Sequence, residues 1–436
     1  MSWSASSFPM KPLGELARIQ AGYAFESARF TESPTDVPLV KGENVQQGYV
    51  DWSIAKRWPE AEMEALEQFL LKPGDIVVAM DRPWVEAGLK WAYIKPEDPP
   101  SLLVQRVARL RAGPELDQTY LRAVISSSYF SAYIQPIVTG VNVPHISGKQ
   151  IASFKVPVPP LEQQRKVAAL ISAYDDLIAN NQRRIALLES MAEEIYREWF
   201  VRMRFPGHST AAHERGMPLG WQASTAAAMV QVQGGGTPST EISQYWGGDI
   251  PFFSPKDSHD GAYCLQTEQS ITELGLENCA SRLFPKDTIF ITARGTVGNL
   301  VLAGEPMAMN QSCYALVPKI DKKPYFVFAG LRCAVNVIKG VSNSGVFDNV
   351  VMDTFKIIPL VNPGDALRDR YNEVAGPIYE QSLVLRQANS HLRATRDALL
   401  PRLISGKLRV EALDIQFPPS MQQQPVEAAK HKAIAP

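Results

Sequence analysis

From Pro159 to Pro206 the chain reads PPLEQQRKVAALISAYDDLIANNQRRIALLESMAEEIYREWFVRMRFP, with no glycine or proline between the opening Pro159-Pro160 pair and Pro206. Apolar positions recur at steps of three and four: Ile171, Tyr174, Ile178, Asn181, Ile185, Leu188, Ala192, Ile195 and Trp199. That spacing predicts one helix of about forty residues, longer than a globular helix usually runs. Read as heptads, it places Ile171, Ile178, Ile185, Ala192 and Trp199 at a, and Tyr174, Asn181, Leu188 and Ile195 at d. A sustained heptad seam predicts a coiled coil. Its one polar member, Asn181, is the kind of residue that lowers stability and sets register.

The same pattern returns from Asp365 to Leu403. Here a falls on Tyr371, Ile378, Leu385, Leu392 and Leu399, and d on Val374, Gln381, Ala388 and Thr395. Two such helices in one chain predict an intramolecular antiparallel pair. The polar Asn181 and Gln381 are expected to meet in it.

Outside these helices the periodicity changes. In residues 10–158, VPLVKGENV (37–45), LKPGDIVVAM (71–80), LLVQRVARLRA (102–112) and IASFKVPVPP (151–160) read as strands. Asp117–Gln135 reads as one helix, with TGVNVPHISG (139–148) as a loop after it. Residues 217–360 repeat the unit. DIPFFSPKD (249–257) answers VPLVKGEN, LFPKDTIFITARG (283–295) answers LLKPGDIVVAMDR, MNQSCYALVP (309–318) answers LVQRVARLRA, and DTFKIIPLVNP (353–363) answers ASFKVPVPPLE. Aligning Asp75 with Asp287, Gln105 with Gln311 and Lys155 with Lys356 gives offsets of 287 − 75 = 212, 311 − 105 = 206 and 356 − 155 = 201. The expected fold is therefore α+β. Two similar globular domains (1–158 and 207–363) are separated by an antiparallel two-helix coiled-coil spacer (159–206 and 364–410), in a pseudo-two-fold internal repeat. A tail over 411–436 without periodicity is expected to lack fixed structure. A helical spacer of about thirty-five residues spans ~50 Å at ~1.5 Å per residue. One turn of B-DNA is about 34 Å.

Composition narrows the function classes. The formal net charge of −1 carries no global nucleic-acid footprint. Only residues 361–410 are basic, with 8 Lys and Arg against 5 Asp and Glu. No run of apolar residues is long enough to span a bilayer, and the first residues, MSWSASSFPM, do not form a signal peptide. The expected location is the cytoplasm, and Cys264, Cys279, Cys313 and Cys333, without a CxxC pair, read as reduced thiols rather than metal ligands.

Four stretches carry a family resemblance: GYAFES (22–27), LKPGDIVVA (71–79), PLEQQRKVAALISAYDDLIANNQRRIALLESMAEEIYREWF (160–200) and LLPRLISGKLRV (399–410). Together they make the chain, to about Val410, resemble the specificity (S) subunit of type I restriction-modification systems. VNPGDALRDRY departs from the PLEQQ form at the start of the second helix. The resemblance implies two target recognition domains reading a bipartite, asymmetric double-stranded DNA sequence. It also implies helical regions that space them and dock two methyltransferase (modification) subunits, with restriction or translocase subunits in a full system. It implies no cofactor on this chain, with S-adenosylmethionine, ATP and Mg²⁺ on the partners.

Base reading calls for Arg or Lys against guanine and Asn or Gln against adenine, on loops that also touch phosphate. Candidates in the first unit are Lys41, Asn44, Arg82, Gln105, Arg106, Asn142 and His145. In the second they are Lys256, Asp257, Arg294, Gly295, Asn310, Gln311, Asn343, Ser344 and Asn349. Arg82 and Arg294 are expected to be equivalent. Each has a bland alternative: a loop asparagine often bonds its own backbone, and a surface arginine is often solvated. Trp84, Trp91 and Tyr93 read as packing residues before wedges, and Lys149 and Lys155 as solvated lysines before phosphate contacts. Trp199 is expected to pack, whereas Phe200 fits packing or partner docking equally.

Motifs for chemistry are missing from the sequence. It has no GxxxxGK[ST] phosphate loop and no Asn/Asp-Pro-Pro-aromatic run, its six histidines are scattered, and GGGTP (234–238) reads as a turn. The chain is thus expected not to be an enzyme. Two other classes remain open: an enzyme that modifies or cuts DNA itself, and a coiled-coil scaffold without a DNA role.

Overall fold

The computed structural model describes residues 6–85, 88–138, 144–258, 261–319, 323–341 and 349–422. Described residues up to Ile178, together with those from Leu392 on, form one compact unit; Ala179–His391 form the other.

Each unit is built on a five-stranded sheet. In the first unit the strands are β1 (Ala17–Ala21), β2 (Gln47–Gly48), β3 (Ile76–Ala79), β4 (Trp91–Tyr93) and β5 (Val107–Ala112), in the order β1-β5-β3-β4-β2. In the second they are β6 (Val230–Gly234), β7 (Tyr263–Cys264), β8 (Ile289–Thr292), β9 (Leu300–Ala303) and β10 (Cys313–Pro318), in the order β6-β10-β8-β9-β7. Both sheets are antiparallel except at one edge, where β4 lies parallel to β2 and β9 parallel to β7. The central strands are buried on both faces, which explains their unbroken apolar runs IVVA and IFIT. A smaller sheet also recurs. Val37–Val40 lies antiparallel to Arg57–Trp58 and parallel to Ser101–Leu103; Trp246–Phe253 lies antiparallel to Gln269–Ile271 and parallel to Ala308–Met309.

Register corrects the alignment of the two copies by one residue. Ile76 pairs with Leu110 and Ile289 with Leu316, so the central strands are offset by 289 − 76 = 213, not 212. Gly74, not Asp75, is the counterpart of Asp287: both have left-handed backbones, with φ of 94° and 69°. The amides of both donate 2.8 Å bonds to the neighbouring strand, to the Ile94 and Ala303 carbonyls. The turn demands a left-handed residue, and Asp tolerates that conformation better than most. Asp75 instead buries its carboxylate against the fork of Arg111, at 2.5 and 2.7 Å.

The single helix expected over Asp117–Gln135 is two: α1 (Gln118–Ile125) and α2 (Ser128–Val138). Asp117 caps the first by accepting from the Thr119 and Tyr120 amides. The break falls at Ser126-Ser127, where both hydroxyls bond carbonyls three residues back.

The long helices are α3 (Leu161–Tyr196), whose last turn widens over Arg197–Val201, and α5 (Asp365–Ile404); α4 (Tyr325–Val341) lies between them in the chain. In α3 the predicted seam holds in its first part: Ile171, Ile178, Asn181 and Ile185 are buried, with Tyr174 half-buried. Further on the buried stripe becomes Glu189, Ala192, Tyr196 and Phe200, so Leu188, Ile195 and Trp199 are only partly covered. A straight helix of 3.6 residues per turn drifts off a 3.5-residue repeat in this way. Phe200 is buried among Tyr196, Trp221, Phe326 and Tyr371, which fills the second unit's core.

The seam of α5 is rotated from the expected frame. Tyr371 and Leu385 are buried, but Val374 and Gln381 are exposed, and Ile378, Leu392 and Leu399 are half-buried. The buried stripe is Arg368, Asn372, Ala375, Tyr379, Ser382 and Asn389. Asn181 therefore does not meet Gln381. Its Nδ2 donates to Asn389 Oδ1 at 2.9 Å, eight residues further along (389 − 381). Packing of large aromatics, which heptad counting ignores, sets this register: Tyr371 donates to the Ala192 carbonyl, and Tyr379 stacks on Tyr325 at 5.4 Å. Within the first unit the helices meet through Arg396, which donates to Asp175 at 2.7 Å.

Residues 411–422 correct the expectation of a structureless tail for its described part. Lys166 Nζ donates to the Glu411 carbonyl, and Ile415 and Met421 pack on the first unit's core.

Candidate nucleic-acid interface

The loop crossing that follows the central strand is the same in both units. After β3, the Met80 amide donates to the Arg106 carbonyl and the Ile146 amide donates to the Met80 carbonyl, each at 2.8 Å. After β8, the Ala293 amide donates to the Ser312 carbonyl at 2.7 Å, and the Val350 amide donates to the Ala293 carbonyl at 3.1 Å. Three loops from distant parts of the chain thus converge at one end of each sheet. A fourth passes beneath them. A Cβ on Gly22 would lie 2.3 Å from the Leu103 carbonyl oxygen, and one on Gly235 would lie 2.1 Å from that of Asn310. Only glycine allows this approach, which gives a reason for glycine in both GYAFES and GGGTP.

The crossing fixes which residues correspond. Asp81, not Arg82, is the counterpart of Arg294; Arg82 corresponds to Gly295, Gln105 to Gln311, Arg106 to Ser312 and His145 to Asn349. Arg82 and Gly295 both have positive φ, 42° and 78°. For glycine this is unstrained. For arginine it costs about 1–3 kcal/mol, and strain of this kind concentrates at functional loops.

In the first unit these loops carry a charged cluster. Asp81 accepts from Arg106 Nη1 and pairs with His145 Nδ1, both at 2.6 Å. Arg106 is itself left-handed, with φ 66°. Partial burial works to raise the Asp81 carboxyl, but hydrogen bonds from His145 and Arg106 outweigh it and hold the group below its ordinary 3.8. Beside it the Arg82 side chain is exposed and has no partner among the described residues. Gln105 is exposed as well. A cavity of about 520 Å³, lined by Ala17, Met80, Ala108, His145 and Lys149, opens next to the cluster.

In the second unit, Arg294 is exposed without a described partner, in a loop shaped by Gly295 and Gly298. Lys339 Nζ donates to Asn299 Oδ1 at 3.3 Å, and burial lowers its pKa. Gln311 is exposed and accepts from the Thr237 hydroxyl; Asn310 accepts from the Ser312 amide at 3.0 Å, and Asn349 is exposed.

Two candidates are corrected outright. Asn44 is buried, accepting from the Lys41 amide and donating to the Leu39 carbonyl, so its side chain is consumed by the turn. Asp257 is buried too: it accepts from the Ser254 amide and hydroxyl and from the Glu268 amide. Lys41 pairs with Glu43 and Lys256 with Glu268. Asn142, Asn343 and Ser344 lie outside the described residues. Trp84, Trp91 and Tyr93 pack against the first unit's core, and Lys149 and Lys155 are exposed. Asp81 was absent from the sequence candidates. Its partners lie 25 and 64 residues away, so no local pattern marks it. Among the described residues no group of His, Cys, Asp and Glu could hold a metal ion, and no helix is long and apolar enough to cross a membrane.

Comparison with known proteins agrees with the duplication. A family model, the type I restriction modification DNA specificity domain, matches twice, at residues 6–190 and 218–364. The chain is 23% identical over 302 residues to the type I restriction enzyme MjaIX specificity subunit of Methanocaldococcus jannaschii, covering 67% of this chain and 70% of that protein. It is 21% identical over 327 residues to the HindI specificity subunit of Haemophilus influenzae, covering 61% and 71%. In fold it is similar to the crystal structure of a type I restriction-modification S subunit from M. genitalium, with a TM-score of 0.53 at 15% identity, over 92% of this chain and 96% of that one. Two matched domains spanning most of the sequence, each coinciding with one copy of the five-stranded sheet, place the chain in the type I restriction-modification DNA specificity family.

Proposed function

We propose that the chain is the DNA-reading specificity subunit of a type I restriction-modification complex. Each unit contacts one half of a bipartite double-stranded target, and the two halves differ in sequence. One observation carries this reading: the same loop crossing is built twice with unlike side chains. Asp81, Arg106 and His145 stand in one copy where Arg294, Ser312 and Asn349 stand in the other. A duplicated scaffold with different polar groups at equivalent positions presents two different hydrogen-bonding faces to base edges. Arg82 and Arg294, exposed and without a side-chain partner among the described residues, supply cationic contact to base or phosphate.

The chain acts by placement. Chemistry belongs to two methyltransferase subunits and, in a full system, to restriction or translocase subunits. S-adenosylmethionine, ATP and Mg²⁺ are assigned to those partners, and the working location is the cytoplasm. Sequencing of adenine methylation in cells with this chain and its methyltransferase, against the methyltransferase alone, tests the proposal. A new motif of two unlike halves at a fixed gap is expected. A stable complex that yields no new motif overturns it.

A further inference from the structure

We propose that Asp81 is a specificity-determining positioning residue: it locks the Arg106 guanidinium and the His145 imidazole into one rigid head that reads guanine in the half-site of the first unit. The inference rests on the DNA-reading function proposed above and names the residue that makes one of its contacts selective.

The geometry supplies the reasons. Arg106 and His145 sit on separate loops, and both side chains bind Asp81, whose two oxygens are divided between them at 2.6 Å each. The backbone holds the same arrangement: the Met80 amide bonds the Arg106 carbonyl, and Asp81 and His145 form an isolated antiparallel bridge. A free arginine on a loop loses much rotamer freedom when it docks on a base. Asp81 removes most of that freedom beforehand. Only Nη1 of Arg106 is committed to Asp81, and the side chain is 66% exposed. The remaining N–H groups match the N7 and O6 acceptors of guanine. Arg82 next to it has no such clamp, so its long side chain suits a phosphate. The second unit has no counterpart of the clamp: Arg294 and Ser312 occupy the positions of Asp81 and Arg106. The clamp is therefore particular to one half-site.

The test uses the complete complex with its methyltransferase and reads the methylated motif base by base. Variants are Asp81→Ala, Asp81→Asn, Arg106→Ala, the Asp81→Ala/Arg106→Ala double and, for the other half, Arg294→Ala. Arg106→Ala is expected to lower discrimination for guanine at one position of the first half by about 5- to 150-fold. Asp81→Ala should relax that same position by at least about fivefold, with the second half unchanged. The double variant should be no worse than Arg106→Ala, since one acts through the other. Asp81→Asn keeps the fold and one acceptor oxygen and should fall between wild type and Asp81→Ala. A purely structural Asp81 would lower methylation evenly at all sites without altering the motif, and that result overturns the proposal. So does a motif unchanged in Asp81→Ala but relaxed in Arg106→Ala. If Arg106→Ala leaves a clear bipartite motif intact, the inference fails while the DNA-reading function stands; if the wild-type complex yields no bipartite motif, that function fails and the inference with it.

Discussion

The buried carboxylate of Glu189 tests how the long helices hold the second unit together. It lies on the inner stripe of α3 and is almost fully covered. One oxygen accepts from the Ser382 hydroxyl at 2.5 Å and from Arg386 at 2.9 and 3.3 Å, both on α5. The other accepts from the buried Ala262 amide at 2.9 Å, beside the edge strand β7. One side chain thus joins two helices to the sheet. Glu189→Ala leaves Arg386 without its counter-ion and the Ala262 amide without an acceptor. Breaking a buried ion pair from one side costs about 3–5 kcal/mol. At about 2–4 °C per kcal/mol for a unit of this size, the midpoint of the second unit's unfolding should fall by about 6–20 °C. Calorimetry of the full chain, with the first unit's transition as internal reference, measures it. Glu189→Met combined with Arg386→Leu removes both charges together and should recover part of the loss, the Ala262 amide remaining without its acceptor. A drop under about 2 °C for Glu189→Ala, or a double variant less stable than either single one, would refute the reasoning.

Further outcomes follow from other contacts. Asn181→Leu removes the donor to the buried Asn389 Oδ1 and should cost about 1–3 kcal/mol. Adding Asn389→Leu should raise the midpoint above that single variant while loosening helix register, seen as broadened methyl resonances along α3. In footprinting on the cognate target, Arg82→Ala should weaken protection of the first half-site alone and Arg294→Ala the second, each by about 1–3 kcal/mol if the contact is to a base; equal loss on random DNA, with a salt slope smaller by about one, marks a phosphate contact instead. The Asp81 carboxyl is held below its ordinary value, so its ionised form stabilises the fold above that value and the contribution is lost as pH falls through the lowered one. The gap in melting temperature between wild type and Asp81→Asn should therefore close in acid, below about pH 4; a gap that closes between pH 7 and 6 would contradict this sign.

The sequence by itself determined the duplicated α+β plan, the two long helices, the seam of α3 as far as Ile185 and the loops that end each central strand. These follow from local rules: strand and helix periods, helix caps, and turn residues such as Gly74. Tertiary structure alone decided the register. Asn181 meets Asn389 because Tyr371, Tyr379 and Phe200 must fit into one core, and the volume of large aromatics outweighs the match of two polar amides. The one-residue shift that makes Asp81 the counterpart of Arg294 has another origin. Hydrogen-bond registry between neighbouring strands, not letter similarity, fixes equivalence. Burial likewise separated Asn44 and Asp257, spent on turns, from Arg82 and Arg294, exposed at the surface. The Asp81 cluster was beyond reach for a simple reason: three loops far apart in the chain meet only when the sheet closes, and no spacing along the sequence records that distance.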